Sequence, residues 1–329
     1  MNLNGKNVLI TGGGGFIGSH LAEKLLKLGN NVTVIIRYNS RNDWGNLEYL
    51  DKEVLNNLNV IAGNIEDPYC VQKAISKQDV VFHLAALIGI PYSYVAPLNY
   101  VKTNIEGTIN ILDSCLKNNV EKVVHTSTSE TYGTALYTPI DEKHPLQGQS
   151  PYSASKIAAD KLAESYFLSF DLPVTTIRPF NTFGPRQSLR AVIPTIISQA
   201  LKHDSVKLGS LSPVRDMNYV VNTVNGFIKI AECEHSTGKV INIGSGKALT
   251  IGDIANKIFN ILGKDVSIIE DDSRIRPEKS EVLKLICDNT LAKELLNWQE
   301  EISFDEGLKY TVEFVKNNLD KLKTDIYNV

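Results

Sequence analysis

The chain has 329 residues, of which 43% are hydrophobic and 22% charged, a balance that excludes disordered and collagen-like classes and allows about two domains. Lysine and arginine number 34 against 37 aspartate and glutamate, a net charge of −3, so no basic excess exists to hold a nucleic-acid backbone. Cys70, Cys115, Cys233 and Cys287 stand far apart without a CxxC pair, which argues for small buried hydrophobes rather than a zinc site or a disulfide framework. No run reaches the ~18 apolar residues of a membrane span; the best, Val80 to Ile90, is broken by His83 and Gly89. The opening MNLNGKNVLITG lacks the apolar core of a secretory signal. The expectation is a cytoplasmic protein with neither membrane nor nucleic-acid partners.

In chain order, short β-branched runs alternate with amphipathic stretches. Lys6–Thr11, Asn31–Arg37, Asn59–Ala62, Val80–Leu84, Lys122–Thr126, Val174–Arg178 and Lys239–Ile243 read as strands. Gly18–Leu28, Asn104–Asn118 and Tyr152–Phe170 read as helices. Such alternation predicts an α/β fold, a doubly wound parallel sheet, and runs such as NVLIT and DVVFHLA are apolar without alternation because helices cover both faces. Beyond Phe180 the pattern loosens into a Pro- and Gly-punctuated stretch and a mostly helical tail. The expected division is a cofactor domain of residues 1–180 plus 218–245 and a smaller, mostly helical lobe of 181–217 plus 246–329.

Residues 11 to 18 read TGGGGFIG between the first strand and the first helix. Gly12, Gly15 and Gly18 would allow a tight turn, a close backbone approach and tight helix–strand packing, while the helix N-terminus behind Phe16 and Ile17 offers free N–H groups to phosphates. With a strand before and a helix after, this context predicts dinucleotide binding over a plain turn. The second strand ends without the acid that would hold an adenosine ribose. Arg37 stands there instead, which tilts the expected cofactor, NAD(P), toward NADP, although a solvated loop end would look the same. After the third strand, Asn64 and Ile65 stand where a side chain can reach an adenine edge; a simple loop asparagine is equally compatible.

The segment HTSTSETYG from His125 and PYSASK from Pro151 carry the chemistry. Tyr152 and Lys156, four apart on a helix, share a face. A tyrosine with a pKa of about 10 becomes a usable base when neighbouring cations lower it.

On these residues the chain resembles an extended short-chain dehydrogenase/reductase of the nucleotide-sugar epimerase and dehydratase group. The matching stretches, in order, are TGGGGFIG, HLAA from His83, NIEGT from Asn104, TSTSETYG from Thr126, PYSASK, RPFNTFGPRQ from Arg178, VRD from Val214 and NIGSG from Asn242. The resemblance implies a Rossmann domain with tightly held NAD(P), contacted also by Leu84, Ala85 and Ala86, and a lobe that grips a nucleoside diphosphate sugar. It implies Thr128, Tyr152 and Lys156 as a hydroxyl–tyrosine–lysine triad, with Asn104 supporting the lysine through a water. It further implies a homodimer formed through helices near 104–118 and 152–170.

Thr128-Ser129-Glu130 bears on the reaction. The group's 4-epimerases resemble this segment with small or hydroxyl residues in place of Ser129 and Glu130, whereas a 4,6-dehydratase needs a carboxylate to take the C5 proton once C4 is a ketone. Glu130 therefore argues against simple epimerisation. Decarboxylases of the uridine diphosphate glucuronate type share Thr-Ser-Glu. The stretches DEKHPLQGQSPYSASK and RIRPEKSEVLKLICDN more closely resemble 4,6-dehydratases of nucleotide-linked N-acetylglucosamine in legionaminic-acid-type pathways. The reading is a 4,6-dehydratase of a GDP- or UDP-linked N-acetylglucosamine, with decarboxylase or 4-epimerase as alternatives. Ser129 is a poor acid, so Glu130 would handle both protons or work through water. Arg186, Arg215 and Arg276 are candidates for the diphosphate, each suited to bidentate contact, and the resemblance implies Asn181 and Arg215 at the diphosphate or nucleoside end. His83 and His125 read as packed rather than catalytic, and no metal-spaced ligand cluster is expected.

Overall fold

Strands that are apolar on both faces need cover on both sides. The computed structural model describes residues 1–274 and 277–322. Strands β1 (Asn7–Thr11), β2 (Asn31–Ile36), β3 (Asn59–Ala62), β4 (Val80–His83), β5 (Lys122–Thr126) and β6 (Val174–Pro179) form, with Val240–Ile243, a parallel sheet of seven strands. Its order is Val240–Ile243, β6, β5, β4, β1, β2, β3. Each lies within one residue of its expected bounds.

Alternate side chains on a strand serve opposite faces. Val8 and Ile10 of β1, with Phe82 and Val124, pack toward α1 (Phe16–Lys27) and the helix Val220–Glu232. Leu9, Val81 and Val123 face the other way, onto the helices Pro68–Ile75, Gly107–Lys117 and Pro151–Phe170. Both faces are thus dry, which explains the missing polar alternation. Helix α1 starts earlier than Gly18 because Gly15 serves as its N-cap. The helix expected from Asn104 begins as a π-helical turn, Val101–Glu106, before Gly107–Lys117.

The lobe beyond Phe180 contains the helices Val192–Lys202, Ile251–Leu262, Thr290–Leu296 and Phe304–Asn317. It also has strands that the sequence reading does not contain. Asn181–Phe183 pairs with Met217–Tyr219, Ser205–Leu208 with Ser267–Glu270, and Val214–Arg215 with both Leu249–Thr250 and Lys284–Leu285. All four cysteines are free thiols, Cys115 and Cys287 fully buried. Among the described residues no helix is long and apolar enough to cross a membrane.

Candidate active site

The sheet order reverses between β1 and β4, the topological switch point at which doubly wound sheets bind ligands. A cleft of about 1260 Å³ opens there and runs into the lobe. Its floor is the glycine turn. Gly12 has φ +73°, and a Cβ on it would sit 2.9 Å from the Ala85 nitrogen; a Cβ on Gly18 would strike the Gly12 carbonyl oxygen. No side chain caps α1 at Gly15, which leaves its first N–H groups for a ligand.

Behind the turn, Thr11 accepts hydrogen bonds from the backbone N–H groups of Leu84 and Ala85, both at 3.1 Å, and bonds His83 Nδ1 at 2.8 Å. The far ring nitrogen of His83 lies 3.1 Å from the Thr108 hydroxyl, which itself donates to the Asn104 carbonyl at 2.6 Å. This arrangement requires a neutral His83 that donates from Nε2 and accepts at Nδ1. Burial holds its pKa well below the ordinary histidine value, reinforced by the charges of His125 and Lys156. His83 is therefore packed, as its sequence context suggests, and it also braces the glycine turn against Leu84–Ala85.

Gly12, Gly15, Phe16, Ile17 and Gly18 line the cleft. So do Arg37, Asn64 and Ile65 on one side and Leu84, Ala85 and Ala86 on another. Thr126 Oγ1, also on the wall, is buried without a partner among the described residues. A glycine cradle, an open helix N-terminus and an orphaned hydroxyl suit a dinucleotide with its pyrophosphate on the turn.

Helix Pro151–Phe170 begins with a Ser150–Ser153 capping box and Pro151 in its first turn. That start places Tyr152 on the cleft wall beside Thr128 and Glu130. Burial pushes the Tyr152 phenol up from its usual value; a hydrogen bond with Thr128 pulls it back down, while the Glu130 charge raises it. Thr128 also caps the single turn Ser129–Tyr132 by accepting from the Glu130 N–H at 3.2 Å. Ser129 is 1% exposed and is not on the cleft wall, so this turn presents Glu130 and turns Ser129 inward. Lys156 is buried one helical turn below Tyr152, and burial lowers its ammonium to about 8, opposed by the charge of Asp160. Asn104 does not bond Lys156 directly: its amide accepts from the Leu87 N–H at 2.8 Å and donates to Ser155 Oγ at 2.9 Å.

At the far end, Asn181 and Arg215 line the cleft. Arg215 donates to Glu281 at 3.1 Å and is held on the short strand Val214–Arg215. Arg190 and Arg274 line the same region; Arg190 lies outside the sequence motifs, and Arg274 opens the stretch RIRPEKS, in which Arg276 is the candidate. Arg186 is not on the cleft wall; it donates to Glu23 of α1 at 2.6 Å. Arg276 lies outside the described residues.

The profile of the GDP-mannose 4,6 dehydratase family matches residues 9–311. A UDP-N-acetyl-alpha-D-glucosaminuronate decarboxylase of Bacillus cytotoxicus is 33% identical over 322 residues, covering 94% of this chain and 98% of the relative. A UDP-N-acetylglucosamine 4-epimerase of Methanobrevibacter ruminantium superposes with a TM-score of 0.86 at 32% identity, covering 96% of this chain and 99% of that one. DesIV, a dTDP-glucose 4,6-dehydratase of Streptomyces venezuelae solved with NAD bound, gives a TM-score of 0.87 at 27% identity, covering 96% and 99%. The chain belongs to the GDP-mannose 4,6-dehydratase-like family of extended short-chain dehydrogenases/reductases, whose members are nucleotide-sugar dehydratases, epimerases and decarboxylases.

Proposed function

We propose that this chain is a 4,6-dehydratase that converts a GDP- or UDP-linked N-acetylglucosamine to its 4-keto-6-deoxy sugar. One observation carries the reading against epimerisation: Glu130 faces the cleft beside Tyr152, close enough for its charge to act on the phenol. Against decarboxylation it is supported by the resemblance of DEKHPLQGQSPYSASK and RIRPEKSEVLKLICDN to the 4,6-dehydratases. A carboxylate there is positioned to take the C5 proton, which is acidic only while C4 is a ketone. NAD(P) held by the Gly12–Gly18 turn and the N-terminus of α1 would supply the oxidising equivalent at C4 and the reducing equivalent at C6. Tyr152, hydrogen-bonded by Thr128, takes the proton of the C4 hydroxyl, and the Lys156 ammonium favours the phenolate form. Glu130 then holds the C5 proton and can return it to the departing C6 hydroxyl, because Ser129 points away from the cleft. Asn181 and Arg215 would hold the diphosphate end. Exposed Ile109, Leu168 and Phe170 on the helices Gly107–Lys117 and Pro151–Phe170 support a homodimer through those helices.

The test is mass analysis of GDP- and UDP-N-acetylglucosamine after incubation with enzyme. Loss of one water per sugar supports dehydration. Loss of carbon dioxide from the corresponding uronate, or an isomer of unchanged mass, would replace it with decarboxylation or epimerisation. In Glu130→Gln the rate should fall by roughly 10²–10⁴, the scale of a lost general base. That variant should accumulate a 4-keto sugar that keeps its C6 hydroxyl and takes no solvent deuterium at C5. A Glu130→Gln enzyme that dehydrates at the wild-type rate would make this carboxylate a bystander.

A further inference from the structure

Asp160 is the third polar residue on the face of helix Pro151–Phe170 that carries Tyr152 and Lys156, each four residues from the last. Its side chain is 5% exposed, and its oxygens take three donors: His125 Nε2 at 3.1 Å, the Ser127 hydroxyl at 2.6 Å and the Arg178 guanidinium at 2.7 Å. Arg178 Nε also donates to Ser127 Oγ at 3.2 Å, and the guanidinium lies 4.6 Å from the centroid of the Tyr132 ring. His125 belongs to β5, Ser127 follows it, and Arg178 belongs to β6, so one carboxylate fastens the helix to two strands. Burial alone would raise its pKa, but the His125 hydrogen bond and the charges of Arg178, His125 and Lys156 hold it well below the usual carboxylate range.

A buried ion pair is a poor device for stability, because apolar packing of the same volume usually does as well. The position of this one suggests another use. The charge of Lys156 interacts with Asp160 of its own helix, His83 of β4 and His125 of β5, and Tyr152 stands one helical turn before it. Both histidines are held below their ordinary value by burial, which favours the neutral imidazole, and neither form of an imidazole offers Lys156 a negative charge. Burial holds the Tyr152 phenol above its ordinary value. Asp160 is the formal anion in that set.

We propose that Asp160 is a positioning residue of the active site: it keeps Lys156 in its ammonium form and fixes the helical turn that carries both Lys156 and Tyr152. The proposal rests on the reading of Lys156 as the partner of Tyr152. Arg178 fits it as the counter-charge that lets a carboxylate stay ionised in a dry interior without Lys156 having to neutralise it fully.

The experiment follows the Lys156 side chain itself, in full-length protein carrying 13Cε-labelled lysine, with its resonance assigned by its loss in Lys156→Met. Wild-type Lys156 should titrate near about 8. The variant D160N/R178Q removes both charges together and strands neither. Its Lys156 should titrate lower by up to roughly one pH unit, the Coulomb effect of losing a carboxylate about 6 Å away in a partly screened interior, less the opposite effect of losing Arg178. The alkaline limb of kcat/KM should move down with it, so the deficit narrows toward acid pH. Asp160→Glu, which keeps the charge, should restore the wild-type titration. A uniform loss of activity with an unmoved Lys156 titration would overturn the proposal. Should the double variant not fold, Arg178→Gln decides by the opposite sign: with the competing cation gone, the Lys156 titration should rise, and an unchanged one would overturn the proposal. An active Lys156→Met would instead overturn the reading of the site on which it rests.

Discussion

Arg37 immediately follows β2 and lies exposed on the rim of the cleft, with Arg41 on the same wall. The acid of this loop, Asp43, accepts the Gly45 N–H at 2.6 Å. Asp43 shares the wall with Arg37 and Arg41. The proposed preference is for NADP, whose extra phosphate the two cations, with no strand-end carboxylate, would receive. A charge-assisted contact of this kind is worth about 1.5–3 kcal/mol, at its low end when exposed. Arg37→Asp should therefore shift the ratio of NADP to NAD affinity by at least about tenfold toward NAD, measured by calorimetric titration of protein stripped of nucleotide. An unchanged ratio would make Arg37 a solvated loop end. At this scale the sequence was legible where a motif sets local geometry, as in the turn from Gly12 to Gly18 or the Tyr152–Lys156 spacing. It was silent on the bonds that join Thr11, His83 and Thr108, because these residues meet only through the pairing of β1 with β4 and the packing of the next helix.

Elements show the same division. The sheet strands were readable because burial on both faces makes them continuous apolar runs, and the capping box and Pro151 announce the start of their helix. The lobe's strands were not, since pieces such as Val214–Arg215 and Lys284–Leu285 are too short to show a period and exist only through their partners. The loop at Arg186 is another tertiary product. Arg186 has φ +69° and donates to Glu23 of α1, while His20 of α1 lies 2.9 Å from the Pro185 carbonyl. The contact ties α1 to the segment that follows Asn181–Phe183. Glu23→Gln and Arg186→Gln should each cost about 1 kcal/mol, a fall of about 2 °C in Tm, because the pair is only partly buried. In combination they should cost little more than either alone, the mark of two groups in one contact. Neither should raise the KM for nucleotide sugar. If Arg186→Gln raises it and Glu23→Gln does not, Arg186 holds substrate, as its motif suggests.

The whole molecule stores neutral histidines at its junctions. His20 braces α1 against the lobe, His83 braces the glycine turn, and His125 supports the carboxylate behind Lys156. Burial depresses all three, most legibly His20, which is held at about 4 by burial and the Arg186 charge. In the unfolded chain each would titrate near the ordinary histidine value of about 6.5. Between those two values the unfolded state binds protons that the folded state refuses, so stability is full above about pH 6.5 and falls as pH drops toward 4. His20 alone would contribute a loss of the order of 2 kcal/mol after allowance for its partial exposure. Asp160 acts in the same direction at lower pH: its depressed pKa adds stability above the unfolded carboxylate value that is lost on further acidification. Chemical denaturation followed from pH 7.5 to 4.5 should thus show a steady fall in the midpoint. His20→Asn keeps a donor for the Pro185 carbonyl and removes one titration, so its midpoint should fall less steeply over the same range, whatever its value at pH 7.5. A wild-type midpoint that stays level across this window would mean that these histidines take up protons as readily in the folded protein as in the unfolded one, and that the packing around them opens to water.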